Sequence, residues 1–148
     1  MDDTTRDDTN KALVRRWFDE LFSRGDLSVV DAIIHPAYVL HDPGFPHGIR
    51  GVDGFRQFLT RLRTAFPDLQ STLEDIMAAE GDRVVTRDTW GGTNRGSFLG
   101  FASTNRHVTA VGIDVFRIAD GRIIEQWASP DLLGATMRLG LIALPGDH

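Results

Sequence analysis

Apolar and polar residues alternate most clearly near the C-terminus, in the stretch VTAVGIDVFRIADGRIIEQWASPD from Val108 to Asp131. Asp120-Gly121 stands between two apolar runs, which predicts a β-hairpin. A two-residue turn pairs Ala119 with Arg122, whereas a three-residue loop pairs Ile118 with Arg122. The three-residue loop is preferred, because it places glycine in the left-handed conformation, which costs glycine little.

The preferred register decides which side chains share a face of the hairpin. It places Asp114 opposite Gln126, Phe116 opposite Ile124, and Gly112 opposite Ala128. One face then carries Asp114, Phe116, Ile124, Gln126 and Ala128, and the other carries Ile113, Val115, Ile123 and Trp127. Both faces are largely apolar, although an antiparallel sheet usually leaves one face to water. We therefore expect helices on the first face and a second copy of the chain on the other, as a dimer or higher oligomer.

Helical spacing of apolar residues predicts three helices upstream of the hairpin, over Lys11–Arg24, Leu27–Ile34 and Val52–Phe66. Residues 1–10 are polar and acidic and are expected to form a flexible tail. Tyr38–Gly51 is rich in proline, glycine and histidine and is expected to be a loop or a short strand.

Two further strands, Gln70–Ala79 and Arg83–Gly92, precede a glycine-containing loop and the hairpin. Asp131 is suited to cap a short last helix, Leu132–Leu139, and residues 141–148 are expected to form a tail. Helices followed by strands indicate an α+β fold rather than an alternating one. The sequence thus predicts a single domain over residues 11–140.

Composition excludes several classes of site. The net charge of −5 over 148 residues disfavours a nucleic-acid or anionic-membrane partner. The absence of cysteine excludes disulfides, thiolate nucleophiles and thiolate metal sites. No secretory signal and no apolar run long enough to span a membrane are visible, so the expected location is the cytoplasm.

Asp114 is the first candidate for chemistry, because a carboxylate in a half-buried apolar strand is costly unless it is paired. Burial raises the pKa of such a group and suits it to general acid/base work near neutral pH. A structural carboxylate paired with an arginine is the alternative. Asp88, in the preceding strand, either lies opposite Asp114 and shares a proton with it, or is a solvent-side partner of an arginine; the second interpretation is favoured.

His41 and His47 flank a proline-rich turn and are candidate proton carriers, with an exposed loop position as the alternative. The histidines and aspartates show no compact metal-binding spacing, so no metal site is predicted. Most aromatic residues are expected in the core. Phe116, Trp90 and Phe98 are the candidates for a pocket wall, and Trp127 is expected at the interface between copies.

The order of elements resembles the cone-shaped fold of nuclear transport factor two, ketosteroid isomerase and scytalone dehydratase. Within that fold the chain is most similar to the SnoaL-like polyketide cyclases, through VRRWFDELFSRGD, HDPGFPHGIRG, GFRQFLTRLRTAFPDL, EGDRVVTRDTWGGTNRG and IDVFRIADGRIIEQWASPDLLGATMRLG. The resemblance implies an α+β barrel: a curved antiparallel sheet with about three N-terminal helices on its concave face and a short C-terminal helix.

The resemblance also implies chemistry: aldol cyclisation without metal or cofactor, in which an acidic side chain on the last strand moves a proton. It places the HDP…HG segment, with His41 and His47, at the mouth of the pocket. The family's catalytic aspartate falls on Ala128 here, and a histidine of the facing strand falls on Asp114. Either the acid has moved to Asp114, or the chemistry differs, or there is none.

Three hypotheses follow. The leading one is cofactor-independent cyclisation or isomerisation of a hydrophobic, polyketide-like carbonyl compound. In it Asp114 moves the proton, His41 and Gln126 orient the substrate oxygen, and His47, Asp88, Trp90, Phe98, Phe116, Gln126 and Ala128 contact the substrate. Ala128 favours the second hypothesis, a non-catalytic binding protein. The third is epoxide hydrolysis by Asp88, Arg87 and Asp114, although adjacent strand residues face opposite ways.

Overall fold

The computed structural model describes residues 2–143 and 145–146. Its elements are α1 (Asp3–Arg16), a π-helical segment (Trp17–Ser23), a 3₁₀ turn (Leu27–Val29), α2 (Val30–Ile33), β1 (Ile34–Asp42), β2 (Phe45–Arg50), α3 (Gly51–Ala65), β3 (Gln70–Ala79), β4 (Arg83–Thr93), β5 (His107–Ala119), β6 (Arg122–Pro130) and α4 (Leu132–Arg138). Within these residues, no helix has the length and apolar character needed to cross a membrane. Met1, Leu144, Asp147 and His148, which belong to the two predicted tails, lie outside the described residues.

The first helix begins at Asp3, so the prediction of a tail over residues 1–10 is wrong for the part described. Asp2 caps the helix, because its side chain accepts a hydrogen bond from the backbone N–H of Thr5 at 2.8 Å. The Asp2 cap and an acidic residue in the first turn, Asp3, extend the helix without an apolar face. Apolar periodicity alone therefore placed its start too late.

One curved, open sheet of six strands forms the second layer, in the order β2-β1-β6-β5-β4-β3. Neighbouring strands are antiparallel except β1 and β6, which pair in parallel. The α+β architecture with helices on one face agrees with the predicted fold class. Of the two alternatives for Tyr38–Gly51, a loop or a short strand, the structure has strand over most of the segment: it holds the end of β1 and all of β2, because pairing with β6 overrides the local preference of its proline and glycine residues.

The hairpin of β5 and β6 corrects the preferred register. Its turn pairs Ala119 with Arg122, and both Asp120 and Gly121 have positive φ, as a two-residue turn requires. The register then shifts by one residue beside Ile124, so that Asp114 lies opposite Ala128.

This bulge restores the alternation of faces beyond it. Asp114, Gln126 and Ala128 therefore share the concave face, as the sequence predicts. Near the turn the prediction is wrong, because Ile123 is buried in the core rather than on the outer face.

The core between helices and sheet has two parts. One joins α1, the π-helical segment, α2 and α3 to the sheet and includes Trp17, Phe55 and Phe116. The other lies towards α4 and includes Phe66 and Trp90. A cavity opens between the two parts, with walls from both.

Candidate active site

The cavity lies over the concave face of the sheet and measures about 80 Å³. Most of its walls are aromatic or aliphatic. The polar side chains in its lining are three carboxylates and one carboxamide: Asp42, Asp88, Asp114 and Gln126. Within the described residues, no lysine, arginine or histidine lines it. The site is thus an apolar cavity whose ionisable groups are all acids.

The π-helical segment supplies one aromatic wall. Trp17, Phe18 and Phe22 all line the cavity, and the rings of Trp17 and Phe22 stack with centroids 5.5 Å apart. These two residues are five positions apart, and a π-helix places residues at that spacing one above the other. The wide turn therefore brings three aromatic side chains to one surface, which an α-helical spacing does not predict.

Asp114 projects from β5 into the cavity and is buried. Its Oδ2 accepts a hydrogen bond from Gln126 Nε2 at 2.7 Å, and Gln126 Oε1 accepts one from the Tyr38 hydroxyl at 2.7 Å. Burial raises the pKa of Asp114 to about 7, although the Gln126 hydrogen bond lowers it, and the Asp88 and Asp42 carboxylates add to the rise. Among the described residues Asp114 takes part in no ion pair, so the arginine-paired alternative is not observed.

Asp88 is buried in the same cavity, so the favoured interpretation of a solvent-side partner for an arginine is wrong. Its Cα partner is Gly112, two residues from Asp114, rather than Asp114 itself. A Cβ at Gly112 would lie 3.0 Å from Asp88 Oδ1, so glycine leaves room for the carboxyl. Ser71 Oγ donates to Asp88 Oδ2 at 3.0 Å, and burial raises the pKa of Asp88 to about 6.

Arg87 points to the opposite face of the sheet, as adjacent strand residues must. Its Nη2 lies 2.8 Å from Asp75 Oδ2. The three residues required by the epoxide-hydrolysis hypothesis, Asp88, Arg87 and Asp114, are therefore not brought together.

The structure does not bring His41 or His47 into the cavity. His41 is exposed on the outer face, where its Nε2 lies 2.8 Å from Glu125 Oε2 and its ring stacks on Trp127. His47 is exposed on β2. Asp42 lines the cavity instead: its Oδ1 accepts from the backbone N–H of Gly44 at 2.8 Å, and burial raises its pKa.

Sequence reasoning missed Asp42 as a cavity residue and treated Tyr38 as part of the core. The signal was the alternation along β1, in which Tyr38, Leu40 and Asp42 face inwards and His41 faces outwards. The sequence left this segment open between a loop and a short strand, so no face of the sheet was assigned to its side chains.

The predicted pocket wall is partly observed. Trp90, Phe98, Gln126 and Ala128 line the cavity. Phe116 does not; it is fully buried against Trp17 and Phe18, with ring centroids 5.4 and 5.9 Å away. The described residues contain no cluster of three or more His, Cys, Asp or Glu that could hold a metal ion.

Comparison with known proteins gives consistent matches. A family model described as SnoaL-like polyketide cyclase matches residues 12–139. Aklanonic acid methyl ester cyclase DnrD of Streptomyces peucetius is 33% identical over 132 residues, covering 86% of this chain and 88% of the relative. Nogalonic acid methyl ester cyclase of Streptomyces nogalater is 31% identical over 121 residues, covering 80% and 89%.

Solved structures agree with the sequence matches. TsrD from Streptomyces laurentii has a TM-score of 0.80 at 30% identity, covering 96% of this chain and 99% of that one. An LEH-like epoxide hydrolase of M. tuberculosis has a TM-score of 0.71 at 21% identity, covering 90% of each chain. The second likeness shows a shared fold alone.

Proposed function

Because the chain belongs to the SnoaL-like polyketide cyclase family, we propose that it catalyses aldol ring closure on a hydrophobic, polyketide-like carbonyl compound. Asp114 is the proton-transfer group. The observation that carries the proposal is a buried carboxyl in an apolar cavity, with no cationic side chain beside it among the described residues. Such an environment is typical of acids that exchange protons near neutral pH.

The position of Asp114 supports this role. The resemblance assigns the family's catalytic aspartate to Ala128, and Ala128 is the cross-strand Cα partner of Asp114. Side chains directly opposite on one face lie about 5 Å apart at Cβ. A carboxyl on β5 therefore reaches nearly the same part of the cavity as one on β6.

The chemistry needs only proton transfers. Ionised Asp114 accepts a proton from a carbon next to a carbonyl group, and the resulting enolate carbon forms a bond to a second carbonyl carbon. The new alkoxide then takes the proton back from Asp114, so the ionised carboxylate is regenerated and no cofactor is consumed. A pKa of about 7 keeps both forms of Asp114 available at neutral pH.

Gln126 orients Asp114 rather than the substrate oxygen, the role expected of it, because its amide N–H donates to Oδ2 of Asp114 and leaves Oδ1 for the proton. His41 has no part in the proposal, because it lies on the other face. The apolar walls exclude water and so strengthen contacts to a developing enolate. Three acids without a cation favour a substrate that carries no negative charge.

The first substrates to test are the methyl esters named for the relatives, aklanonic and nogalonic acid methyl esters. We expect Asp114→Asn to lower kcat by about 10²–10⁴-fold, the usual effect of removing a general acid/base. Asp19→Asn, at an exposed carboxylate on the π-helical segment, is the matched control and should keep wild-type turnover. Wild-type turnover by Asp114→Asn contradicts the proposal.

A non-catalytic binding protein is the second candidate, favoured by Ala128 at the family's catalytic position. It predicts that these esters bind to the wild type and to Asp114→Asn without turnover by either. Measuring ester binding and product formation on the same samples separates the two candidates.

We also propose that a second copy of the chain covers the outer face of the sheet. Val111 and Ile113 on β5 are 54% and 53% exposed there. Two ion pairs lie beside them within the chain, Arg87 with Asp75 and Arg117 with Glu125. An apolar surface edged by such ion pairs suits contact with its own copy.

A further inference from the structure

We propose that Tyr38 is a positioning residue that fixes which atom of the Gln126 carboxamide faces Asp114. The inference rests on the proposed role of Asp114 in proton transfer. The Tyr38 hydroxyl donates to Gln126 Oε1, and Gln126 Nε2 donates to Asp114 Oδ2, both at 2.7 Å. All three side chains are buried, and Tyr38 has no access to the cavity.

A carboxamide has almost the same shape in its two orientations, but the chemistry differs. An N–H group that faces Asp114 bonds to the ionised carboxylate and stabilises it. A carbonyl oxygen in the same place bonds only to the protonated acid and repels the carboxylate. The orientation of Gln126 therefore decides whether Asp114 can act as a base.

Tyr38 disfavours the reversed orientation. Burial raises the pKa of its phenol well above the usual value, so the hydroxyl keeps its proton and remains a donor. Within the described chain, its hydrogen bond goes to Gln126 Oε1. A reversed amide would present N–H to that hydroxyl and leave a buried O–H proton without an acceptor.

The charged neighbours of Asp114 make this orientation matter. Asp88 on β4 and Asp42 on β1 face it, and each raises its pKa. The hydrogen bond from Gln126 is the strongest of the contacts that favour the ionised form. Loss of the anchored amide therefore removes the main support for the base form.

Tyr38→Phe removes only the hydroxyl and tests the inference directly. We expect the carboxyl pKa of Asp114, followed by NMR, to rise by about one unit, the size of a weakened hydrogen bond to a charged group. The side-chain amide protons of Gln126 should also exchange faster with solvent. Phe55→Leu is the control, because Phe55 packs edge-on against Tyr38 at 5.5 Å and should leave the pKa of Asp114 unchanged.

A second measurement strengthens the Tyr38–Gln126 hydrogen bond instead of removing it. Tyr38 is the single tyrosine of the chain, so growth on 3-fluorotyrosine labels this position alone. Fluorination makes the phenol a stronger donor, which polarises the amide and should lower the pKa of Asp114.

An unchanged pKa of Asp114 in both proteins overturns the inference. If Tyr38→Phe does not fold, the fluorinated protein decides alone. Neither readout involves turnover, so failure of the proposed function in the Asp114→Asn assay is seen separately.

Discussion

At the scale of single residues, Asp114 is deeply buried and has no cationic partner within residues 2–143 and 145–146. Most buried carboxylates are paired, since ionisation without a partner is costly. Asp114 avoids that cost by remaining protonated up to a higher pH, because burial raises its pKa from 3.8 to about 7. The acid is therefore kept ready for exchange by the same apolar walls that would hold a hydrophobic substrate.

This environment predicts how stability depends on pH. Between about pH 4 and pH 7 the folded chain keeps a proton on Asp114 that the unfolded chain releases, so the free energy of unfolding falls as pH rises through this window. Asp114→Asn has no carboxyl at this position, so its free energy of unfolding lacks this decrease. We expect the variant to match the wild type near pH 4 and to exceed its stability at pH 8 by up to about 4 kcal/mol.

Urea denaturation at a series of pH values measures the effect. Asp19→Asn should follow the wild-type curve, because Asp19 is exposed. Equal pH dependence in Asp114→Asn and the wild type would show that Asp114 is not the buried acid responsible. Asp88, with a pKa raised to about 6, leaves a smaller slope of the same sign in both proteins.

At the scale of elements, Arg63 on α3 connects the π-helical segment, which forms the aromatic wall of the cavity, to the turn before β3. Its guanidinium donates hydrogen bonds of 2.7–3.1 Å to four backbone carbonyl oxygens, those of Phe22, Ser23, Pro67 and Leu69. Two of these carbonyls end the π-helical segment and two belong to the turn before β3. One side chain thus satisfies helix-terminal groups that have no partner within their own helix.

Arg63→Met keeps most of the side-chain volume but removes all four hydrogen bonds. We expect a loss of about 2–4 kcal/mol in the free energy of unfolding, because several part-buried carbonyls lose their donor. Arg61→Met, at an exposed position on the same helix, is the control and should change stability by less than about 0.5 kcal/mol. Equal stability of the two variants in urea denaturation would contradict this role for Arg63.

The elements with strong local signals were predictable from the sequence. Val52–Phe66 differs from α3 by one residue at each end. Gln70–Ala79 is also a strand with the predicted bounds, although its apolar alternation is the least regular of the predicted strands. Asp131 caps the last helix by accepting from the Gly134 N–H, as predicted. In these segments periodicity and capping residues agree with the tertiary structure.

The site was less predictable, because its geometry depends on pairing between distant strands. No local sequence signal indicates that β1 pairs with β6. This pairing places Tyr38 next to Gln126 and puts His41 on the outer face of the sheet. The bulge beside Ile124 is likewise a tertiary feature. Asp114 could be recognised without either, since an acid in an apolar strand is anomalous in any register.

At the scale of the whole molecule, the outer sheet face remains apolar on a chain whose other face is covered by helices. If a second copy covers it, Ile113→Glu should place a charge in the contact and shift the protein to the monomer. Leu133→Glu, equally exposed on α4 at 53%, should leave the assembly unchanged. Sedimentation of the three proteins at matched concentrations measures this, and a monomeric wild type or an unaffected Ile113→Glu contradicts the proposal.

The parallel pairing of β1 with β6 also has a consequence for how the chain reaches its native state. The Tyr38–Gln126 hydrogen bond joins residues 88 positions apart, whereas the β5–β6 hairpin closes over a two-residue turn. Closing the long loop carries the larger entropic cost, so local hairpins gain their contacts first. The carboxyl–carboxamide–phenol chain is therefore completed only after the segments around Tyr38 and Gln126 have come together, a later contact than the hairpin that places Asp114 and Gln126 on neighbouring strands.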